Sequence, residues 1–387
     1  MGIPLLLKNH CGKLAFNVND SDSITNIQQQ LGFGELQYIG IDGSVFIHRK
    51  IVVDEDNKVL RKESSQKIQE NILEYIELTL KIFSQTEENK EPTKNIIIHL
   101  VIDGIPPCFK NRRAYFNENG NYVYKCLDSY AKMDPKDKHK LHKSIARQLK
   151  KKFNKWNREK EANNKEYYHR FTFLSNYNVN YSKRGEGEIE LYKLCLKLNE
   201  KTDETKRNVI LSSDSDVLSL ILTHQDKKSI LITPVMTTNK TVYIMNYNLI
   251  TKGLNFDHFE IVKYVLLHFI LFGSDYNVGL MTSPSESKQT VIYNAVKNNL
   301  TDINDICNQC VRKRKRNHIE NNNNQLETDF EFLEKLKKLL VYEAVCSFMY
   351  YFQIQNDGIK YLQRSPTIYQ KFATVKDLIP YLNFDKK

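Results

Sequence analysis

The stretch RNVILSSDSDVLSLIL, residues 207–222, joins a short apolar run to two closely spaced carboxylates. The pattern predicts a buried strand at residues 209–211 and an apolar helix from Val217. Asp214 and Asp216 lie between the two, at the carboxyl end of the strand, where open α/β sheets bind their ligands. One Asp could serve as a helix N-cap, which is the simpler interpretation, but the second carboxylate then has no role.

Apolar strands alternate with helices on both sides of this stretch. Further strands are predicted at residues 38–41, 96–102, 171–174, 230–233 and 242–245, and helices at 67–83, 189–198 and 262–271. This alternation predicts an α/β fold, with a mostly parallel sheet flanked by helices.

The composition indicates a folded, basic protein. Lys and Arg exceed Asp and Glu by 57 to 46, a net charge of +11, and there are 22 Tyr and 19 Phe. The charge favours a polyanionic partner, most often nucleic acid. No secretory signal and no apolar run of membrane-spanning length is found, so we expect an intracellular protein, in the cytoplasm or nucleus, without a membrane partner and monomeric. Cys307 and Cys310 form a lone CxxC, which leaves either zinc or plain thiols open.

A basic segment follows the second predicted strand. Residues 132–160 hold twelve Lys and Arg against three Asp and Glu, a net of 12 − 3 = +9, with apolar residues at helical spacing. The segment predicts a helix with one apolar stripe, which could be an ordinary solvated surface helix. The charge density favours contact with phosphates, and Lys143, Arg147 and Lys150 are the candidates.

The chain divides into three predicted parts. Residues 1–295 form the core, with the basic insertion at about 104–170. Residues 296–328 carry a basic run and a run of Asn, and are expected to be a linker or loop. Residues 329–387 are expected to form a helical segment packed on the core.

Acidic residues recur at predicted strand ends and helix starts. They are Asp42, Asp103, Glu186, Glu188, Asp214, Asp216 and Asp275. Parallel strands end at one edge of a sheet, so we expect these carboxylates to converge, although neighbouring carboxylates resist ionising together. Two hard cations, Mg²⁺ with Mn²⁺ as a substitute, would relieve the repulsion. Such a pair, about 3.5–4 Å apart, hydrolyses phosphodiesters by activating water and stabilising the leaving oxygen.

Each acidic residue also has a simpler interpretation. Asp42 and Asp103 precede Gly and could be turn residues. Glu186 and Glu188 could complement a helix dipole, and Asp275 could terminate a helix. These interpretations do not explain the order of all seven. A GxSxG motif and a P-loop are absent from the sequence, which argues against a serine nucleophile and a nucleotide-driven motor.

The ordered motifs resemble the 5′-nuclease superfamily, which contains the flap endonucleases and the 5′→3′ exoribonucleases. The motifs are MGIP at 1–4, IGIDGSVFIH at 39–48, VIDGIPPCFK at 101–110, GEGE at 185–188, SSDSD at 212–216 and FGSDY at 272–276. Each motif is weak alone, but the ordered set is specific and spans roughly residues 1–280. The Asn-, Lys-, Ile- and Tyr-rich composition would suit a compact, virally encoded member.

The resemblance implies a PIN-like core, two Mg²⁺ ions held by the seven acids, and a basic helical arch after Asp103. It also implies that Lys110 contacts the scissile phosphate. Arg112 and Arg113 are placed in the arch or in a 5′-phosphate pocket, at a spacing that differs from the usual one. Gly2 would lie near the active site. His48 matches a base-stacking histidine of the exoribonucleases, and packing on a helix is the equally weighted alternative.

The two branches of the superfamily differ in their substrates. Flap endonucleases cut branched DNA and carry a glycine-rich helix-two-turn-helix after the last Asp. Residues 277–296 here lack its Gly-Ile-Gly, while His48, GEGE and THQD at 223–226 favour the exoribonucleases.

We therefore predict a Mg²⁺-dependent 5′→3′ exonuclease that acts on RNA or DNA with a free 5′ end. A structure-specific flap endonuclease of DNA replication or repair is the alternative within the class. A catalytically silent nucleic-acid-binding protein is the alternative outside it, and the intact acid set argues against it.

Overall fold

The computed structural model describes fourteen segments of the chain. They are residues 14–17, 21–31, 34–48, 51–53, 59–62, 65–83, 95–102, 114–116, 122–124, 135–162, 170–176, 187–233, 241–273 and 286–299. Within these segments, no helix has both the length and the apolar character that crossing a membrane requires.

Strands and helices alternate through most of the described chain. The strands are β1 (Leu14–Asn17), β2 (Glu35–Asp42), β3 (Ile51–Val53), β4 (Val59–Lys62), β5 (Asn95–Val101), β6 (Ala114–Phe116), β7 (Tyr122–Tyr124), β8 (Arg170–Ser175), β9 (Lys206–Leu211), β10 (Ser229–Thr233) and β11 (Thr241–Asn246). The helices are α1 (Ser21–Leu31), α2 (Gly43–His48), α3 (Ser65–Phe83), α4 (Pro135–Ala162), α5 (Gly187–Asn199), α6 (Ser215–Thr223), α7 (Tyr247–Leu254), α8 (His258–Phe272) and α9 (Glu286–Lys297).

In the described part of the chain, one seven-stranded sheet dominates, with the order β1-β11-β10-β9-β2-β5-β8. The five strands from β10 to β8 are parallel to their neighbours. The last two, β11 and β1, are antiparallel. The predicted α/β fold with a mostly parallel sheet is therefore confirmed. We call the edge at which the parallel strands end the carboxyl edge.

Helices cover both faces of the sheet. On one face, α5, α6, α8 and α9 pack on side chains such as Tyr38, Ile210 and Leu231. On the other, α1 to α4 pack on Ile39, Leu211 and their neighbours. Burial on both faces explains why the central strands read as continuous apolar runs in the sequence.

Within the described residues, the predicted strands and helices are present, with ends that differ by a few residues. The helix predicted from Val217 begins at Ser215, with Asp214 as its N-cap, so Asp216 lies in the first turn of the helix and not before it. β1, α1 and the antiparallel pairing of β1 with β11 were not predicted from the sequence. A four-residue strand carries little periodic signal, and pairing with a partner more than 200 residues away leaves no local pattern.

The basic segment contains α4, a helix of 28 residues. Leu141, Ile145, Leu149 and Phe153 on its apolar stripe are buried. The helix therefore lies on the sheet beside α3 and β8. The predicted linker at 296–328, the segment 329–387 and the CxxC lie outside the described residues, apart from residues 296–299.

Candidate metal centre

Two neighbouring strands bring the first site residues together at the carboxyl edge. In the parallel pair β2 and β9, Ile41 lies opposite Leu211. Asp42 ends β2 and Ser212 follows β9 directly, so these two residues are adjacent although they lie far apart in the sequence.

Asp42 is held in place by hydrogen bonds from two segments. The Ser212 hydroxyl donates to its Oδ2 at 2.8 Å, and the Val45 backbone N–H approaches Oδ1 at 3.4 Å. Asp42 is only 3% exposed. Its carboxylate is thus positioned by the fold and is not a solvated turn residue.

The residue after Asp42 must be small. A Cβ on Gly43 would lie 2.7 Å from Cγ1 of Ile102 and 3.1 Å from the Val101 carbonyl oxygen. Gly43 therefore allows the start of α2 to pack against the end of β5. This close approach sets where Asp42 lies relative to the neighbouring strand.

The turn between β9 and α6 positions two more carboxylates. Asp214 is the N-cap of α6, and its Oδ1 accepts a hydrogen bond of 3.1 Å from the Asp216 N–H. The Ser212 hydroxyl in turn accepts from the Asp214 N–H at 3.0 Å. Asp216 is 1% exposed and lies in the first turn of α6. One Asp is therefore the cap, as the simpler interpretation held, and the other is a buried carboxylate.

Glu188 completes a cluster of three carboxylates. It is the second residue of α5, is 3% exposed, and begins a helix that links β8 to β9. One carboxylate oxygen from each of Glu188, Asp214 and Asp216 lies within 4.8 Å of the other two. We call these three residues the carboxylate cluster.

The donor set of the cluster fits a hard divalent cation. Each member offers carboxylate oxygens, which Mg²⁺, Mn²⁺ and Ca²⁺ prefer over sulfur or imidazole ligands. Burying carboxylates this close together is costly unless positive charge compensates them. The N-termini of α5 and α6 supply part of it through their dipoles, and a cation would supply the rest.

A neutral polar pair joins β2 and β5, two of the strands that end at the carboxyl edge. The Tyr38 hydroxyl and His99 Nδ1 are 3.2 Å apart in neighbouring strands. Burial lowers the pKa of His99 from 6.5 to about 4 and raises the pKa of Tyr38 well above its usual value. Both side chains are therefore uncharged near neutral pH, and neither adds charge to this part of the sheet.

Part of the predicted site lies outside the described residues. This part comprises Gly2, Asp103, Lys110, Arg112, Arg113, Glu186 and Asp275. His48 is the last residue of α2, and its side chain is also outside the description. Lys143, Arg147 and Lys150 are exposed on α4. Asp42, Glu188, Asp214 and Asp216 are thus the predicted acids whose placement is described.

Two residues that position this edge were not predicted from the sequence. Ser212 connects Asp42 to the turn of Asp214, and its place in SSDSD was the only signal. Asn176 donates to the Ile102 carbonyl at 2.7 Å and accepts from the Ile102 N–H at 3.3 Å. It thereby fixes the backbone of the residue before Asp103. A single Asn after a strand gives no hint of such a contact.

Comparison with known proteins gives one family match. The family described as XRN 5′-3′ exonuclease N-terminus matches residues 1–233, more than half of the chain. Among curated proteins, none matches the sequence significantly.

Several solved structures are similar over most of their length. The catalytic core of Rad2 in complex with a DNA substrate shares 14% identity, with a TM-score of 0.43, and covers 95% of this chain and 96% of that one. The T5 5′-exonuclease with bound zinc ions shares 16%, with a TM-score of 0.39 and coverage of 90% and 100%. Flap endonuclease-1 from Methanococcus jannaschii shares 13%, with a TM-score of 0.32 and coverage of 85% and 81%.

Proposed function

The chain belongs to the XRN 5′-3′ exonuclease N-terminus family, within the 5′-nuclease superfamily, and we propose that it is a magnesium-dependent 5′→3′ exonuclease. Its substrates are nucleic acids with a free 5′ end. One observation carries the proposal: in a chain of this family, Glu188, Asp214 and Asp216 converge to within 4.8 Å at the carboxyl edge, beside buried Asp42.

Four of the seven proposed metal ligands lie among the described residues. Glu188, Asp214 and Asp216 would hold a divalent cation directly, and Asp42 approaches from the neighbouring strand. Asp103, Glu186 and Asp275 would complete a site for two ions. When bound there, Mg²⁺ supplies Lewis-acid chemistry, polarising a phosphoryl oxygen and activating water.

The chain's own residues orient the reacting groups. Ser212 fixes the carboxylate of Asp42, and the N-cap bond fixes Asp214, so few side-chain rotations are lost when substrate binds. Lys110, Arg112 and Arg113 would contact the scissile and 5′ phosphates. Gly2 and His48 would line the entry for the first nucleotide. Lys143, Arg147 and Lys150 on α4 would neutralise the phosphate backbone.

Product analysis tests the mode of cleavage. Time courses with Mg²⁺ on 5′-labelled RNA, single-stranded DNA and a DNA flap should yield mononucleotides from the unbranched substrates. A single discrete oligomer from the flap, with the unbranched strands intact, would instead establish a flap endonuclease. No metal-stimulated cleavage of any 5′-ended substrate would leave a silent binding protein.

A double variant tests the assignment of the site. Asp214→Ala with Asp216→Ala should abolish cleavage and leave nucleic-acid binding measurable, since the cations of α4 are unchanged. Glu200→Ala, on an exposed residue beyond the end of α5, is the control and should cleave like the wild type. Cleavage retained by the double variant would remove the carboxylate cluster from the mechanism.

A further inference from the structure

We infer that the exposed face of α4 is a track for the phosphodiester backbone of the substrate, at a distance from the scissile bond. The inference rests on the proposed function in one respect, that the substrate is a nucleic acid. It extends the contacts proposed for Lys143, Arg147 and Lys150 along the whole length of α4, to the edge of the sheet opposite the carboxylate cluster.

The face is almost uniformly cationic. Its exposed cations are Lys140, Lys143, Arg147, Lys150, Lys151, Lys155 and Arg158, which we call the basic row. One exposed anion, Glu159, lies among the described side chains of α4 and pairs with Lys155 at 3.4 Å. Spacings of three and four residues place the row along one side of the helix. Over 18 residues the row extends about 27 Å.

The opposite side of α4 holds the row in a fixed orientation. Phe153 is fully buried and contacts the rings of Trp156, Phe171 and Phe173 at 5.4–5.8 Å between centroids. Lys152, on the flank of the row, lies over the Trp156 ring with its Nζ 5.4 Å from the centroid. The backbone that carries the cations is therefore held in a fixed position on the sheet.

Two contacts fix the direction of the row. The Ser144 hydroxyl donates to Ser65 Oγ at 2.9 Å, at the start of α3. Asn157 bonds both the N–H and the carbonyl of Phe171 at 2.9 Å, near the amino end of β8. Since α3 begins at the carboxyl edge and leads to the amino end of β5, α4 runs the same way. The row begins at the edge that holds the carboxylate cluster and ends at the opposite edge.

A linear polyanion fits this arrangement better than a membrane does. Membrane-surface helices pair cations with exposed apolar side chains that enter the lipid. In the described chain, the exposed large apolar residues are Leu174 and Phe259, and neither lies on α4. A row of cations without apolar neighbours suits a phosphate backbone, which binds mainly by charge.

The test isolates the end of the row that lies furthest from the carboxylate cluster. In the variant Lys151→Gln, Lys155→Gln, Arg158→Gln, binding of labelled RNA and DNA of about 30 nucleotides is followed by fluorescence anisotropy in EDTA. Salt is varied between about 50 and 200 mM. The loss of three phosphate contacts should make the negative slope of log K against log salt shallower by about 2. At the lowest salt, binding should weaken by about tenfold or more.

A matched control neutralises three exposed lysines elsewhere. Lys193→Gln, Lys197→Gln, Lys201→Gln lies on and beyond α5, on the opposite face of the sheet, and should keep the wild-type slope. Equal slopes for the wild type and the α4 variant, or equal losses in both variants, would overturn the track. So would wild-type binding to anionic vesicles but not to either oligonucleotide. Because binding is read without cleavage, a failure of the nuclease assignment is recognised separately, by the absence of metal-stimulated products.

Discussion

The Ser212 hydroxyl donates a hydrogen bond of 2.8 Å to Asp42 Oδ2, joining residues 170 positions apart in the chain. Ser212 is fully buried, and its Oγ also accepts a hydrogen bond from the Asp214 N–H. One hydroxyl thus sets the position of a carboxylate on β2 relative to the turn that begins α6.

Removing this hydroxyl should impair cleavage beyond its effect on stability. We expect Ser212→Ala to lower the free energy of unfolding by about 1–3 kcal/mol, because a bond to a buried carboxylate is lost. Activity should fall by about 10–100-fold, as is typical when a metal ligand loses its orienting partner. Urea unfolding and initial cleavage rates measure the two effects.

Ser219→Ala is the control for this substitution. Ser219 is equally buried and donates to the Asp216 carbonyl at 2.7 Å. It should lose stability and retain most of its cleavage rate. If both variants lose activity to the same extent, orientation of Asp42 is not the cause.

Neutralising one member of the carboxylate cluster should have opposite effects with and without metal. Glu188→Gln removes one of three neighbouring negative charges, so the thermal midpoint in EDTA should rise. In the wild type, Mg²⁺ at a hundredfold excess over its Kd should add about 2.7 kcal/mol to the free energy of unfolding and so raise the thermal midpoint. In Glu188→Gln this Mg²⁺-dependent rise should be smaller. Differential scanning fluorimetry measures both.

Glu190→Gln, two residues further along α5, is the control for this substitution. It removes a carboxylate outside the cluster and should keep the full response to Mg²⁺. A lower midpoint of Glu188→Gln in EDTA would show that Glu188 stabilises the metal-free fold, contrary to the repulsion described above.

Acid should destabilise the protein through His268. Burial lowers the pKa of this side chain, which lies within α8, from 6.5 to about 4. The unfolded chain then binds a proton below pH 6.5 that the folded protein binds only near pH 4. The free energy of unfolding is therefore unaffected by His268 above pH 6.5, and it falls by up to about 3 kcal/mol as the pH is lowered from 6.5 to about 4.

His268→Leu should flatten this part of the stability curve. Urea unfolding between about pH 4 and 7 should show a smaller loss of unfolding free energy than in the wild type. An identical acid slope in the two proteins would mean that His268 does not control it.

Asn157 should contribute strongly to the attachment of α4. It bonds both backbone groups of Phe171 at 2.9 Å, so Asn157→Ala leaves a strand N–H and carbonyl without these partners. We expect a loss of about 1–3 kcal/mol in urea unfolding. Exposed Asn154→Ala, one turn earlier on the helix, should change stability by less than about 0.5 kcal/mol. Equal effects would argue against the role of the paired bonds.

Much of the fold was predictable because its signals are local. Strands buried on both faces are continuous apolar runs. The helices α3 and α5 show periodic burial near the predicted bounds, while α8 is buried on all sides from Ile261 to Phe272. The motif SSDSD likewise indicated the end of a strand, a turn and the start of a helix. The antiparallel strand β1, the bond from Asn176 to Ile102 and the close packing at Gly43 depend on distant partners, and no local pattern encodes them.

The sequence by itself determined the order of the elements and which carboxylates follow which strands, because periodicity and capping depend on neighbouring residues. Only the tertiary structure decided that Glu188, Asp214 and Asp216 share one volume, that Ser212 fixes Asp42, and that the basic row of α4 leads from the carboxyl edge of the sheet to the opposite edge. Such relationships depend on strand register and helix direction. Both are settled when distant segments pack, since apolar burial against partners from elsewhere in the chain selects one arrangement.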